Sequence, residues 1–405
     1  MLYESRADLP DHVPVELVVD HDVFTVDAPD GDYAAAMLRL RQSGVPKLFW
    51  TQRNGGHWVA TDDRLIREIL EEPTRFSSRA MRVPKSANPD PPIIPLMIDP
   101  PDHVKYRRLI APAMTPAQVR KLEGRARALC VGIIEELAPR GGCEFVADFA
   151  QHMPIAIFLG MLDLPSSDWP VIMAIVDRII RPDVPESRMR GFADLAGYTM
   201  TKVAERRADP GTDLVSSLAL AEIDGRRLRD DELQGLMSVL LLAGLDTVAA
   251  MLTYITRFLA VSPEHRRELI ENPAIVTEAI EEFLRRMAMT NIAREVNRDT
   301  TLDGIAMKQG DLVVCPLPLC NFPSDAPDPL RVDFHRTRRG EAHATFGAGP
   351  HYCLGSMLAR TEIRIFLEEW LARIPDFAIE LGAVLECRAG AAVMIPRLPL
   401  VWEVG

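Results

Sequence analysis

Three groups of residues in this chain have types and spacings that could do chemistry. The run Phe346, Gly347, Ala348, Gly349, Pro350, His351, Tyr352, Cys353, Leu354, Gly355 sets one sulfur in a glycine-punctuated loop. An amphipathic stretch, Ser356 to about Ile374, follows directly. A sulfur at a helix N-terminus lies among unpaired N–H groups and the positive end of the helix dipole, and both favour a thiolate. Glycines let the backbone turn tightly and approach a neighbour closely. A thiolate held this way is a nucleophile or a metal ligand. The bland alternative is an inert buried cysteine, which has no need of Phe346, Gly347, Gly349 and Gly355 around it.

The second group is Ala243, Gly244, Leu245, Asp246, Thr247, inside a long apolar stretch. Glycine costs a helix interior ~1 kcal/mol relative to alanine, and an unpaired Asp there costs more. A Thr hydroxyl can bond the carbonyl four residues back and open the helix locally. Together they suggest a groove for a small polar ligand; a kink with a satisfied core Thr is the competing reading. The third group is Glu282 and Arg285, which fall on one helix face at i,i+3. The commonest fate of such a pair is a solvated surface ion pair.

The elements that must position these residues are mostly helical. The chain has 405 residues, 47% apolar and 26% charged, an ordinary soluble composition. A net charge of −12 makes nucleic acid or an anionic membrane an unfavourable partner. Met1–Pro14 has no apolar core and reads as neither signal peptide nor anchor. Six cysteines without CxxC pairs argue against a disulfide framework and a structural zinc site, and fit a reducing cytoplasm. Val239–Val261 is long enough to span a bilayer, but Asp246 and Arg257 favour a helix buried in a helical protein. Short strands are expected at Lys47–Trp50, His57–Ala60 and Val313–Leu317, and in the tail from Phe377 to Trp402. Helices are expected at Thr61–Leu70, Pro101–Ala113, Pro116–Leu137, Ile155–Leu162, Trp169–Ile180 and Arg188–Arg207. Further ones are expected at Asp230–Val261, Pro263–Glu271 and Ala274–Met287. Arg82–Pro101 is a long proline-rich loop, a length that is often functional. With no linker or repeat, the expected fold is one large, mainly α domain over residues 1–405 with minor β.

These motifs, in this order and spacing, resemble the cytochrome P-450 superfamily of haem-thiolate monooxygenases. The likeness runs from about Phe76 to Trp402 and is nearest to its bacterial camphor-hydroxylating members. Leu240–Val248, Ser262–Arg266, Arg373–Phe377 and Leu398–Trp402 look like segments of theirs. The resemblance implies the P-450 fold, a single large helical domain with small β-sheets. It implies haem b with Cys353 as its axial ligand, Phe346, Gly347 and Gly355 around the sulfur, and dioxygen handled at Asp246 and Thr247. Asp246 would relay protons with Arg181 as a basic partner; a second basic partner, a lysine, is Met173 here. His103, Arg107, Arg294 and His351 match propionate contacts, and Ile292 stands where those members carry a propionate-bonding Asp. Glu282, Arg285 and Arg336 match a structural ion-pair network.

The chain has no flavin or Rossmann fingerprint, so electrons come from outside. The resemblance implies a 2Fe–2S ferredoxin with an NADH-dependent reductase, docking on cations such as Lys105, Arg107, Arg108 and Arg360. The expected protein is a cytoplasmic, soluble monomer taking dioxygen and a small hydrophobic substrate. The loop before Asp99 lacks the tyrosine that holds a ketone in those members; Pro91 stands there, and Arg82 replaces a pocket phenylalanine. Met97, Val239, Leu242, Ala243, Thr290, Ala391 and Ala392 leave an apolar, somewhat wider wall. A terpenoid is expected, camphor-related or a norisoprenoid ketone such as ionone. The competing classes are a haem sensor or carrier without turnover, and a cysteine hydrolase with His351 as base.

Overall fold

The structure, a computed structural model, describes residues 6–25, 27–28, 30–88, 92–180, 184–336, 343–389 and 392–404. Strands β1 (Leu48–Thr51) and β2 (His57–Ala60) form the expected hairpin, with Asn54 and Gly55 at positive φ in the turn. The next helix, Asp63–Glu71, is capped by Asp62 rather than Thr61; the Asp62 carboxylate accepts from the N–H groups of Arg64 and Leu65. Strand β3 (Phe76–Ser77) follows, then the long loop, then α1 (Asp102–Ile110), α2 (Pro116–Leu137), α3 (Trp169–Ile180) and α4 (Pro185–Ala208). Pro116 and Pro185 sit in the first turn of their helices, where a missing N–H costs nothing.

The apolar stretch is two helices, α5 (Asp230–Leu245) and α6 (Thr247–Val261), interrupted at Asp246. Three quarters of its most apolar window is buried, so its composition is that of a core helix. After α7 (Val276–Arg286) come strands β4 (Asn291–Val296) and β5 (Leu312–Pro316). They close a five-stranded sheet of order β1-β2-β5-β4-β3, in which only β5 and β2 run parallel. The final helix, α8 (Ser356–Arg373), starts three residues after Cys353. A small sheet joins Ala378–Ile379, Pro399–Val401 and Gly142–Glu144, as the tail pattern suggested.

The interior divides into two main cores. One gathers α2, α6, α7 and α8 and includes a cluster of Phe145, Phe149, Phe366 and Trp370. Their ring centroids lie 5.2 to 5.7 Å apart, a spacing worth more than area burial alone. The other gathers α3, α4 and α5. The α5 side chains from Leu233 to Leu241 belong to the second core and the α6 side chains from Val248 to Leu259 to the first. The break at Asp246 therefore lies where the chain crosses from one core to the other. Behind Cys353, α2 and α8 are laced by ion pairs: Arg364 to Glu123 at 2.7 Å, and Arg127 to Glu368 and Glu369.

One buried group sits against this packing. Glu362 on α8 is 2% exposed, and its Oε2 has no hydrogen-bond partner among the described residues. Burial holds its carboxyl well above the usual carboxylate range. The folded chain keeps that proton and the unfolded chain releases it. Stability is therefore greatest below the ordinary glutamate value and falls as pH rises toward the folded one. Glu362→Met is expected to raise stability at neutral pH by about 1–3 kcal/mol and to flatten its decline above the ordinary glutamate range, read by denaturant unfolding of the holoprotein.

Candidate active site around Cys353

The cysteine loop is pinned to the C-terminal end of α7. Thr345 Oγ1 donates to the Leu284 carbonyl at 2.6 Å, and Asn321 Nδ2 donates to the Arg285 carbonyl at 2.9 Å. Asn321 Oδ1 accepts from the Ala344 N–H at 2.7 Å. Within the loop, the Gly347 N–H donates to Ala344 O and the Cys353 N–H to Phe346 O. Gly347 and Gly349 have φ of +75° and +65°, and a Cβ on Gly349 would stand 2.7 Å from the Leu70 carbonyl oxygen. The glycines thus serve both purposes read from the sequence, a tight turn and a close approach.

Cys353 is exposed, yet its surroundings are dense enough that burial pushes its thiol pKa up. Burial thus works against the pull toward the thiolate read from the helix N-terminus. Desolvation outweighs the Gly355 N–H and the charges of Arg107 and Arg360, which pull the other way. Coordination to a metal would deprotonate it outright.

The propionate candidates converge beside this loop. His103 and His351 stack with ring centroids 4.2 Å apart. Both ring nitrogens of His103, and Nε2 of His351, are buried without a hydrogen-bond partner among the described residues. Burial lowers the His351 pKa to about 3, helped by Arg294, His103 and Arg107. Arg294 is 5% exposed on β4, with Ala293 O as an acceptor at 2.9 Å. Arg107 donates to the Tyr352 carbonyl. Helix α1, which carries His103 and Arg107, is fixed to α5 by Tyr106, whose hydroxyl donates to Glu232 at 2.6 Å. Glu232 is fully buried, and hydrogen bonds led by that from Arg226 hold its pKa down to about 2. Ile292, which stands where the resembled members carry a propionate-bonding Asp, sits on β4 opposite Cys315 and has no polar side-chain atom.

At the α5–α6 break, Asp246 is buried, with φ −104° and ψ −30°. The Thr247 hydroxyl donates to the Ala243 carbonyl at 3.0 Å. This is the four-residue back-bond expected from the sequence, and it takes up a carbonyl where the helix opens. Arg181, the expected basic partner, lies outside the described residues; Met173, at the other partner position, packs partly buried on the second core.

Glu282 is 5% exposed, so the surface-pair reading fails for it. Arg285 grips it with two bonds of 2.8 Å, Arg336 adds one at 3.1 Å, and both arginines also donate to the Arg331 carbonyl. The bracket anchors the 329–336 segment to α7.

Of the wall residues, Thr290 and Ala392 form an isolated antiparallel bridge. Val239 and Leu242 are partly buried on α5, Ala243 is exposed beside the break, and Met97 is buried in the long loop. Ala391 and Pro91 lie outside the described residues. That loop lies directly on α5 at Gly235, where a Cβ would meet Ile94 N and Pro92 O at 3.0 Å. Gly235 drew no notice in the sequence because one helical glycine has no pattern. Lys105 is bound to Asp224 at 2.7 Å and Asp102 at 3.1 Å, Arg360 is bound to Glu281, and Arg108 is exposed.

Comparison with known proteins agrees with this geometry. The chain matches the cytochrome P450 family model over residues 155–381. It is 33% identical to a probable cytochrome P450 127A1 of Sinorhizobium fredii over 404 residues, 97% of each chain. It is 34% identical to the erythromycin C-12 hydroxylase of Saccharopolyspora erythraea over 370 residues, 88% of this chain and 92% of that one. The crystal structure of CYP101J2 matches with a TM-score of 0.90 at 34% identity, covering 98% of this chain and 100% of that one. That of CYP101C1 matches at 0.87, with the same identity and coverage. The chain belongs to the cytochrome P450 family. It is a monooxygenase with the P450 fold, and its cofactor is haem on a cysteine thiolate.

The residues fit that group. The Cys353 sulfur is exposed on its pinned loop, and the unspent donors of His103 and His351 lie by Arg107 and Arg294, as two carboxylates require. Arg294→Leu is expected to speed haem loss, measured by transfer to an excess of apomyoglobin, while the thiolate-type spectrum of the remaining holoprotein stays unchanged.

Proposed function

We propose that residues 1–405 form a single P450 domain that hydroxylates a hydrophobic terpenoid, camphor-related or a norisoprenoid ketone such as ionone. Dioxygen supplies the inserted atom, and a 2Fe–2S ferredoxin with an NADH-dependent reductase supplies the electrons. The observation that carries the reading is the break at Asp246, where a buried carboxyl and the Thr247 hydroxyl meet in an otherwise apolar core helix. A haem carrier or sensor has no use for such a pair, and a cysteine hydrolase would need an orienting acid for His351, whose Nε2 has no partner among the described residues.

When bound through Cys353, the haem supplies oxygen activation: one atom enters a C–H bond and the other leaves as water, at the expense of two electrons and two protons. The chain's part is to hold and feed this chemistry. His103, Arg107, Arg294 and His351 bind the propionates, and Phe346, Gly347 and Gly355 frame the sulfur. Thr247 Oγ1, held on Ala243 O, orients a proton at the oxygen site, and Asp246 resupplies it from the protein side, with Arg181 as its basic partner. Glu282, Arg285 and Arg336 hold the frame.

Met97, Val239, Leu242, Ala243, Thr290, Ala391 and Ala392 give an apolar wall. The loop before Asp99 has no tyrosine, which removes a hydrogen bond worth about 1 kcal/mol for a buried carbonyl and favours a substrate oriented by shape. Docking of an acidic ferredoxin falls to Arg108, with Lys105 and Arg107 beside it. Arg108 is exposed, whereas the charge of Lys105 is partly matched by Asp224 and Asp102. Arg360 is left out, because Glu281 matches its charge. The reading takes the protein as a soluble cytoplasmic monomer.

Replacing the proton donor should cut turnover by about a hundred-fold in Asp246→Asn. Thr247→Ala should keep consuming NADH but release peroxide in place of product, as read by oxygen, peroxide and product balances. Spin-state titrations at the Soret band with ionones, other terpenoids and camphor test the substrate class. Tight, fully high-spin camphor binding with single-site hydroxylation contradicts it.

A further inference from the structure

Arg360, one turn into α8, occupies an unusual place for a cation on the cysteine side. Its guanidinium bonds Glu281 on α7 at 2.5 Å and 3.0 Å. The same guanidinium lies over the face of Phe346, 4.6 Å from the ring centroid, a cation–π geometry. Phe346 is also flanked by His343 at 5.9 Å and Tyr352 at 6.2 Å between ring centroids. His343 Nε2 meets the second oxygen of Glu281 at 3.2 Å. Phe346 is the residue whose carbonyl accepts the N–H of Cys353. Glu281 thus gathers Arg360 and His343, and both contact the ring of Phe346, the residue whose carbonyl holds the Cys353 N–H.

The electrostatics point the same way. Arg107 and Arg360 are the cations whose charges reach Cys353. Glu281 is half-buried, and although burial works against it, the hydrogen bonds from His343 and Arg360 hold its pKa down to about 2. It is therefore a fixed negative charge that partly cancels Arg360. The side chains of Arg360 and Glu281 are only 25% and 15% exposed, so solvent screens this pair less than a surface ion pair.

We propose that Arg360 is a positioning residue that, together with Glu281, fixes the Phe346 ring and the net charge beside the Cys353 sulfur, and thereby sets the donor strength of the ligand. It is not a docking residue for the electron donor. The pair acts as a charge of adjustable size: deleting the cation leaves the site more negative, and neutralising the anion leaves it more positive. A more negative site disfavours the added electron of the reduced haem, and a more positive site favours it. The inference rests on Cys353 being the haem ligand; if that reading fails, the wild-type holoprotein already lacks the thiolate-type carbon-monoxide spectrum.

The test compares the ferric/ferrous midpoint potentials of wild-type, Arg360→Met and Glu281→Gln holoproteins, together with the KM for ferredoxin. The expected result is opposite shifts, downward for Arg360→Met and upward for Glu281→Gln, with the ferredoxin KM unchanged in Arg360→Met. Unchanged potentials with a raised KM in Arg360→Met assign Arg360 to docking and overturn the proposal. Shifts of the same sign reduce the pair to a brace for the loop and also overturn it. If Arg360→Met does not retain haem, Glu281→Gln decides alone: a raised potential supports the proposal, and an unchanged or lowered one overturns it.

Discussion

A sulfur that must become an anion in a desolvated place is the constraint on which the rest of this structure depends. Burial opposes the Cys353 thiolate and outweighs the Gly355 N–H, Arg107 and Arg360, which favour it. What remains is a metal ligand bond, together with positive charge brought in from other parts of the chain. Arg107 comes from α1 and Arg360 from α8, and neither is close to Cys353 by accident of sequence. Each is fixed by an acid or carbonyl of another element: Glu281 for Arg360, and the Tyr352 carbonyl for Arg107. The same rule accounts for His103, His351 and Arg294, whose buried donors make sense only opposite an anionic group.

The two cores give this cluster its working geometry. The core of α2, α6, α7 and α8 holds the sulfur side rigid through aromatic packing and the Glu123, Arg127, Arg364, Glu368 and Glu369 lattice. The core of α3, α4 and α5 carries Val239 and Leu242 and, at Gly235, supports the long loop. Asp246 and Thr247 sit on the seam. A proton donor there can be buried without lying inside either packed interior, where an acid meets the fate of Glu362 and stays neutral.

Much of this was legible in the sequence where a residue type carries its own geometric demand. Pro116, Trp169 and Pro263 open helices whose bounds match the reading residue for residue, two of them because proline fixes a helix start. Gly347 and Gly349 announced a turn and a close approach, and Asp246 with Thr247 announced a break. The rest depends on partners distant in the chain. Strand β4 was invisible because it is a mixed run whose pairing with β5 and β3 supplies its regularity. Arg360 reads as a solvated cation until Glu281, 79 residues away, is beside it. Thr61 and Asp62 satisfy the same local capping pattern, and only the hydrogen-bond geometry assigns the cap to Asp62. The burial that opposes the Cys353 thiolate could not be read either, because a sequence shows the helix but not the density around it.

The central claim is that Cys353 is the ligand through which this chain binds haem. The reduced carbon-monoxide complex tests it most directly, in wild-type protein and in Cys353→His. The account predicts a thiolate-type, red-shifted Soret band in the wild type and its replacement by the imidazole-type band in the variant, with haem still bound by the same propionate donors. A wild-type complex without the red shift, or a variant that keeps it, would contradict the account.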